Sequence, residues 1–162
     1  SDVYKRQNEA SEVIAAELGR EEFIAAMNTK ARQLGMLNTT FADPSGLSSD
    51  NVSTVGDLYR LTQYIYENRR FILDITQDVD LATSYVGGDF VGLINFNEIE
   101  DTTGFAGGKV GETLAAGQTS ISLHELSIKG TIRTVVVIIL GSEGRTADVQ
   151  TLVSFVEDQF GD

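Results

Sequence analysis

Few side chains in this 162-residue chain are able to do covalent or acid–base chemistry, and most are set in ordinary surroundings. His124 is the only histidine. It sits in an alternating run, where one histidine is read as a hydrogen-bonded or exposed side chain and not as a catalyst. Glu98 and Glu100 form a close pair of carboxylates, read as a solvated loop. Lys109 lies in Gly107-Gly108-Lys109-Val110-Gly111-Glu112-Thr113, a glycine-rich segment with strand character; taken alone, Lys-x-Gly describes an ordinary exposed lysine. There is no cysteine, which excludes disulfides, cysteine-based zinc sites and thiol catalysis. Neither a phosphate-cradling G-x-x-x-x-G-K-[ST] nor a zinc motif occurs, so no cofactor and no metal are expected.

The elements that must position these groups change character along the chain. Asn8–Leu18 reads as a helix, with Ala10, Val13, Ile14 and Leu18 at helical spacing, and Gly19 stops it. Glu21–Leu34 carries the stripe Phe23, Ile24, Met27, Ala31 and Leu34. An irregular stretch follows around Asp43-Pro44-Ser45-Gly46. Ser53 or Thr54 then caps a helix whose first turn holds Asp57 and whose buried side is Leu58, Leu61, Tyr64 and Ile65. Arg70–Thr76 is a short helix or turn. From Gly87 onward strands dominate. Leu81–Val86 and Phe90–Phe96 are short candidates, and Gly107–Thr113 is a third. Gln118–Leu126 alternates, with Ser120, Ser122, His124 and Leu126 on one side. Ile128-Lys129-Gly130-Thr131 is a tight hairpin, and Thr131–Leu140 is an apolar, β-branched strand expected to be buried on both faces. Thr146–Phe160 closes the chain as a helix with Val149, Leu152, Val153 and Val156 inward. Helices first, then an antiparallel run, then a covering helix give an α+β domain.

Charge narrows the partners. Twelve Lys and Arg against 24 Asp and Glu leave a formal charge of −12. Nucleic acid and polybasic membrane contact both need clustered cations, so both are excluded as the main partner. The longest apolar run, Val135–Leu140, is far too short to span a bilayer.

Ordered blocks then point to a family. Leu34-Gly35-Met36-Leu37-Asn38-Thr39-Thr40-Phe41-Ala42-Asp43-Pro44-Ser45-Gly46-Leu47 resembles "LGMxNTxFxxPxGL" of the serine-type D-alanyl-D-alanine carboxypeptidases, a family of penicillin-binding proteins. Ser53-Thr54-Val55-Gly56-Asp57-Leu58 resembles the "STxxDL" that follows it, and both blocks are read as structural. Gly107–Thr113 resembles the "GxKTGxT" box on the strand edging the active site, Asn95-Phe96-Asn97 the "NTN" segment before it, and Asn8-Glu9-Ala10-Ser11 the "NDAA" that follows S-x of the S-x-N motif. The resemblance covers residues 8–142.

What the resemblance implies is a fragment of the DD-peptidase/serine β-lactamase-like fold, an antiparallel sheet covered by helices, in the bacterial cell envelope. The family removes terminal D-Ala from peptidoglycan stem peptides by acyl transfer through a serine in S-x-x-K, and β-lactams inhibit it. Lys109 would supply positive charge for the substrate carboxylate and proton traffic. Val110 stands where the family has a carboxylate-binding threonine. Gly111 would permit close approach, the Glu112 N–H would serve an oxyanion hole, and Thr113 is the candidate to replace the missing hydroxyl. Asn8 would bond the substrate amide. No S-x-x-K occurs in the chain, so residues 8–162 are expected to be the C-terminal part of the catalytic domain, inactive alone. Ser1–Gln7 is also what TCA-GAT-GTG-TAT-AAG-AGA-CAG encodes, a transposon end used in sequencing libraries, and is read as translated adapter. A serine β-lactamase-like hydrolase and a non-catalytic muropeptide-binding protein are the alternatives. The resemblance leaves membrane anchoring open.

Overall fold

A computed structural model describes residues 2–77, 99 and 102–162. The chain divides into two compact units, residues 1–61 and 62–162, with the division falling inside a helix. The candidate strands Leu81–Val86 and Phe90–Phe96, the Asn95-Phe96-Asn97 segment and the pair Glu98 and Glu100 lie outside the described residues.

The first unit begins with α1 (Asp2–Leu18) and α2 (Arg20–Gln33). α1 starts six residues before the predicted Asn8. Lys, Arg and Gln at positions 5–7 are good helix formers, and helical backbone needs no apolar stripe. The apolar residues at helical spacing in α1 are largely exposed: Val13, Ile14 and Leu18 are each more than half exposed, and the buried residue is Ala15. A small side chain at the contact lets α1 and α2 approach closely, and the larger ones face away. In α2, Ala31 is buried while Phe23, Ile24, Met27 and Leu34 are half-buried. Gly35, at φ 74°, supplies the left-handed residue that turns the chain out of the helix.

The following loop, residues 36–54, is held by side chains bonding backbone. Asn28 donates to the Phe41 carbonyl (2.7 Å) and accepts from the Phe41 N–H (2.9 Å), as a paired strand would. Asn51 accepts from the N–H groups of Ala42 (2.7 Å) and Asp43 (3.2 Å). Thr40 and Val52 pair through two backbone bonds. α3 (Val55–Asn68) opens with the cap predicted for it: the Thr54 hydroxyl accepts the Asp57 N–H at 3.2 Å.

The second unit holds the end of α3, then α4 (Phe71–Thr76), β1 (Phe105–Thr113), β2 (Gly117–Ile128), β3 (Thr131–Ser142) and α5 (Arg145–Phe160). The strands form an antiparallel sheet in the order β1-β2-β3. The β2–β3 turn is the predicted one: Ile128 pairs with Thr131, and Lys129 and Gly130 have φ of 51° and 72°, the sign a two-residue type I′ turn requires at both central positions. Leu123 sends its side chain to one face, joining Leu73 of α4, Ala106, Ile65 and Val136. Ser120, Ser122, His124 and Leu126 occupy the other face, each at most 2% exposed, and α5 packs on β2 and β3 with Val149 and Val153 buried.

Two expectations need correction here. β3 is not buried on both faces. It pairs only with β2 among the described residues, Thr131–Arg133 and Leu140 are exposed, and full burial is confined to Val137, Ile139 and Ser142. Pairing on one side only among the described residues overrides what its β-branched composition suggests. In α5, Leu152 is 43% exposed and not inward: the helix turns only the strip through Val149 and Val153 to the sheet, and Leu152 lies about 100° round from Val153.

Candidate active site

β1 carries five of the six candidate residues. Its register sets their directions: Lys109 pairs with Ile121, Val110 with Ser120, Gly111 with Thr119, Glu112 with Gln118 and Thr113 with Gly117. Opposed residues of an antiparallel pair share a face. Lys109, Gly111 and Thr113 therefore belong to the Leu123 side, and Val110 and Glu112 to the His124 side. β1 pairs only with β2 among the described residues, so alternate N–H and C=O groups along it point away from the sheet.

Position 110 is buried, with Val110 4% exposed. Lys109 is exposed, and its ammonium donates to the Val110 carbonyl. Protein crowded around that ammonium holds its pKa below the ordinary lysine range, and repulsion from Arg145 lowers it further. The exposed surface of Lys109 lets water offset part of that burial penalty. Gly111 is tight for a structural reason: a Cβ there would meet the Thr119 hydroxyl oxygen at 2.9 Å, and that hydroxyl donates to the Gly111 carbonyl at 3.2 Å. Thr113 accepts the Ala116 N–H at 3.1 Å in the β1–β2 turn. α4 positions the start of the strand, where the Thr76 hydroxyl accepts the Gly108 N–H at 2.9 Å and donates to the Leu73 carbonyl at 2.8 Å. Asn8 belongs to the other unit; it is half-buried on α1, and its carbonyl accepts the Ser11 hydroxyl at 2.8 Å.

Sequence reasoning passed over Arg145. It is the first residue of α5, with its side chain only 2% exposed. One guanidinium nitrogen donates to the Gly111 carbonyl at 3.2 Å and lies 3.5 Å from the Glu112 carboxylate. Gln118 ties the group together, accepting the Arg145 N–H (3.0 Å) and donating to Glu112 (3.4 Å). A signal was available: a cation in the first turn of a helix opposes the helix dipole, so an arginine there calls for a local acceptor.

His124 forms a second polar group. Its Nδ1 lies 2.9 Å from the Thr103 carbonyl and its Nε2 2.9 Å from the Ser122 hydroxyl, with the Phe105 ring edge-on. A carbonyl partner makes Nδ1 the donor, which leaves Nε2 to accept from Ser122. Both residues are fully buried, so this serine–histidine contact is a packing device with no path for a substrate. Among the described residues no group of three or more histidines and carboxylates is placed to hold a metal ion, and no helix is long and apolar enough to cross a membrane.

Residues 4–143 match the sequence pattern of peptidase S11, D-alanyl-D-alanine carboxypeptidase. The chain belongs to the D-alanyl-D-alanine carboxypeptidase family. It is 43% identical over 72 residues to the D-alanyl-D-alanine endopeptidase of Haemophilus influenzae, covering 44% of this chain and 23% of the relative. It is 28% identical over 159 residues to the D-alanyl-D-alanine carboxypeptidase DacF of Bacillus subtilis, covering 94% of this chain and 40% of the relative. The chain thus spans less than half the length of these curated relatives. The crystal structure of penicillin-binding protein D2 from Listeria monocytogenes, in its cefotaxime-bound form, superposes with a TM-score of 0.62 at 28% identity, covering 91% of this chain and 61% of that one. The α+β arrangement is therefore that of the DD-peptidase fold.

Proposed function

We propose that the whole protein is a serine D,D-carboxypeptidase of the bacterial cell envelope, taking terminal D-Ala from peptidoglycan stem peptides by acyl transfer and inhibited by β-lactams. The observation that carries this reading is Lys109. Its cation stands on a strand paired on one side among the described residues, at the family's Lys-x-Gly position, with its pKa lowered by burial and by Arg145. A lysine so placed can compensate the charge of an anionic substrate end and move a proton at lower cost than an ordinary surface lysine. The Glu112 N–H is the proposed oxyanion donor on the same strand, Val110, Gly111 and Thr113 are proposed to line the substrate, and Asn8 to bond its amide. Cefotaxime in the Listeria relative supports the β-lactam assignment.

The test uses the whole gene product. Release of D-Ala from a peptide ending in D-Ala-D-Ala and covalent labelling by a fluorescent penicillin are both expected, and Lys109→Ala should slow each by ~100-fold or more, the scale for losing an electrostatic or acid–base group. Labelling of Lys109→Ala within a few-fold of the parent removes Lys109 from the site.

A further inference from the structure

We propose that Thr76 is a positioning residue: from α4 it holds an extra residue in β1 and thereby sets the face on which Lys109 stands. This rests on the reading of Lys109 as a site residue.

The pairing of β1 with β2 is not uniform. Between Phe105 and Gly108 the first strand advances three residues, while its partner goes back two, from His124 to Ser122. The extra residue makes a β-bulge. Phe105 meets the His124 ring edge-on, on the α5 side of the sheet. Ala106 packs with Leu73 and Leu123 on the opposite side. In a regular strand the next residue would return to the Phe105 side. A Cβ on Gly107 would instead meet the Leu73 carbonyl oxygen at 2.9 Å and the Thr76 hydroxyl oxygen at 3.0 Å, on the α4 side. A Cβ on Gly108 would meet the Phe105 ring at 3.3 Å, so alternation resumes there, one residue out of step.

That step decides where Lys109 stands. With the bulge, Lys109 pairs with Ile121, on the Leu123 side. A regular ladder continued from Phe105 and His124 would pair it with Ser120, because a one-residue slip exchanges the faces of a whole strand. Ser120 is 2% exposed on the face that α5 covers, and an ammonium there would have no route to a substrate.

Two residues hold the bulge. Gly107 has φ 114°, a backbone state that glycine adopts without strain. Thr76 accepts the Gly108 N–H at 2.9 Å and donates its own hydroxyl to the Leu73 carbonyl at 2.8 Å. Leu73 is buried in the core of this unit, so the Thr76 hydroxyl ties the residue before Lys109 to the core.

The test compares Thr76→Val, which keeps the shape and removes the hydroxyl, with Thr76→Ser, which keeps the hydroxyl. Thr76→Ala is a second variant without it. In the full 162-residue chain followed by NMR, hydrogen exchange at the Gly108 amide should quicken ~10-fold in Thr76→Val and Thr76→Ala. The cross-strand contact of Lys109 with Ile121 should weaken in the same two variants, and Thr76→Ser should keep both. In the whole gene product, labelling by a fluorescent penicillin should slow ~10-fold or more without the hydroxyl and recover in Thr76→Ser. On a Lys109→Ala background, Thr76→Val should cost nothing further, whereas a general loss of stability would cost alike on both backgrounds. Additive losses, or a Gly108 amide as protected in Thr76→Val as in the parent, overturn the proposal. If Gly108 and Lys109 respond as expected yet the parent gene product neither labels nor releases D-Ala, the carboxypeptidase reading fails and the placement of Lys109 by Thr76 stands. If the parent labels and Thr76→Val labels as fast, the Thr76 assignment fails and the carboxypeptidase reading stands.

Discussion

Replacing Asp57 by alanine should be among the most damaging changes to the first unit. Asp57 is 1% exposed. One carboxylate oxygen accepts the Asn38 N–H at 2.7 Å and the Thr39 hydroxyl at 2.9 Å; the other meets Arg60 at 3.1 Å. Alanine removes all three bonds. Thr39 keeps Ser53 as a partner at 2.8 Å, so the main casualty is the Asn38 N–H. Hydrogen bonds to a charged group contribute about 1.5–3 kcal/mol each, and leaving a buried donor unmade costs about 1–3 kcal/mol. The Arg60 contact adds little, because that side chain is half exposed and such pairs contribute ~0–1 kcal/mol. The total expected is about 3–5 kcal/mol. Asp57→Asn keeps an acceptor for Asn38 and should lose about half as much.

Urea unfolding gives the difference directly, provided the slope m is unchanged. Hydrogen exchange at the Asn38 amide gives it locally: protection should fall by ~100-fold or more, at 1.4 kcal/mol per factor of ten. A loss below ~1 kcal/mol with constant m, or an Asn38 amide as protected as before, would refute the assignment of Asp57 as the clamp between loop and helix.

Two further outcomes concern the buried polar face of β2. Burial pushes the His124 pKa below the ordinary histidine value, against the pull of the Thr103 carbonyl and the Glu157 carboxylate; stability should therefore be full above ~6.5 and fall by up to ~1.4 kcal/mol per pH unit below it, as the unfolded chain takes up a proton the folded one refuses, and His124→Gln should flatten the pH 6.5–5 limb measured by urea midpoints. The Ser120 hydroxyl is buried without a hydrogen-bond partner among the described residues; Ser120→Ala should leave thermal stability equal or raise it by about 1 kcal/mol, and a clear loss would show that the hydroxyl is satisfied.

Periodicity and turn chemistry made most of the element order legible. The α3 cap at Thr54 and the Lys129-Gly130 turn depend on local residues alone, and local residues decide them. Burial was less legible because it depends on neighbours distant in sequence. Thr131–Leu140 has the composition of a central strand, yet among the described residues β3 pairs only with β2. Leu152 has the right spacing to face inward, yet the strip of α5 that touches the sheet is narrower than the stripe. At the candidate site, the Lys109–Thr113 box was found through its order after other blocks, whereas Arg145 was missed because its partners Gly111, Glu112 and Gln118 come from two strands that precede it by 27 or more residues. No periodicity encodes that meeting.

The two motif regions use their polar groups in opposite ways, and this separates stability from recognition. In the loop at 36–54, Asn51 and Asp43 turn their polar groups onto the backbone. Asp43 shows it best: burial pushes its pKa up, but bonds from Asn51, Ser48, Gly46 and Ser45 outweigh this and hold it below the usual carboxylate value. Its contribution is thus present above ~3.9 and lost as pH falls through the lower folded value. On β1, Lys109 and Glu112 are exposed residues. Substitutions in the loop should therefore act on folding, with recognition following only through stability. Substitution of Lys109 should change recognition while the sheet, held by Leu73, Ala106 and Leu123 beneath it, stays folded.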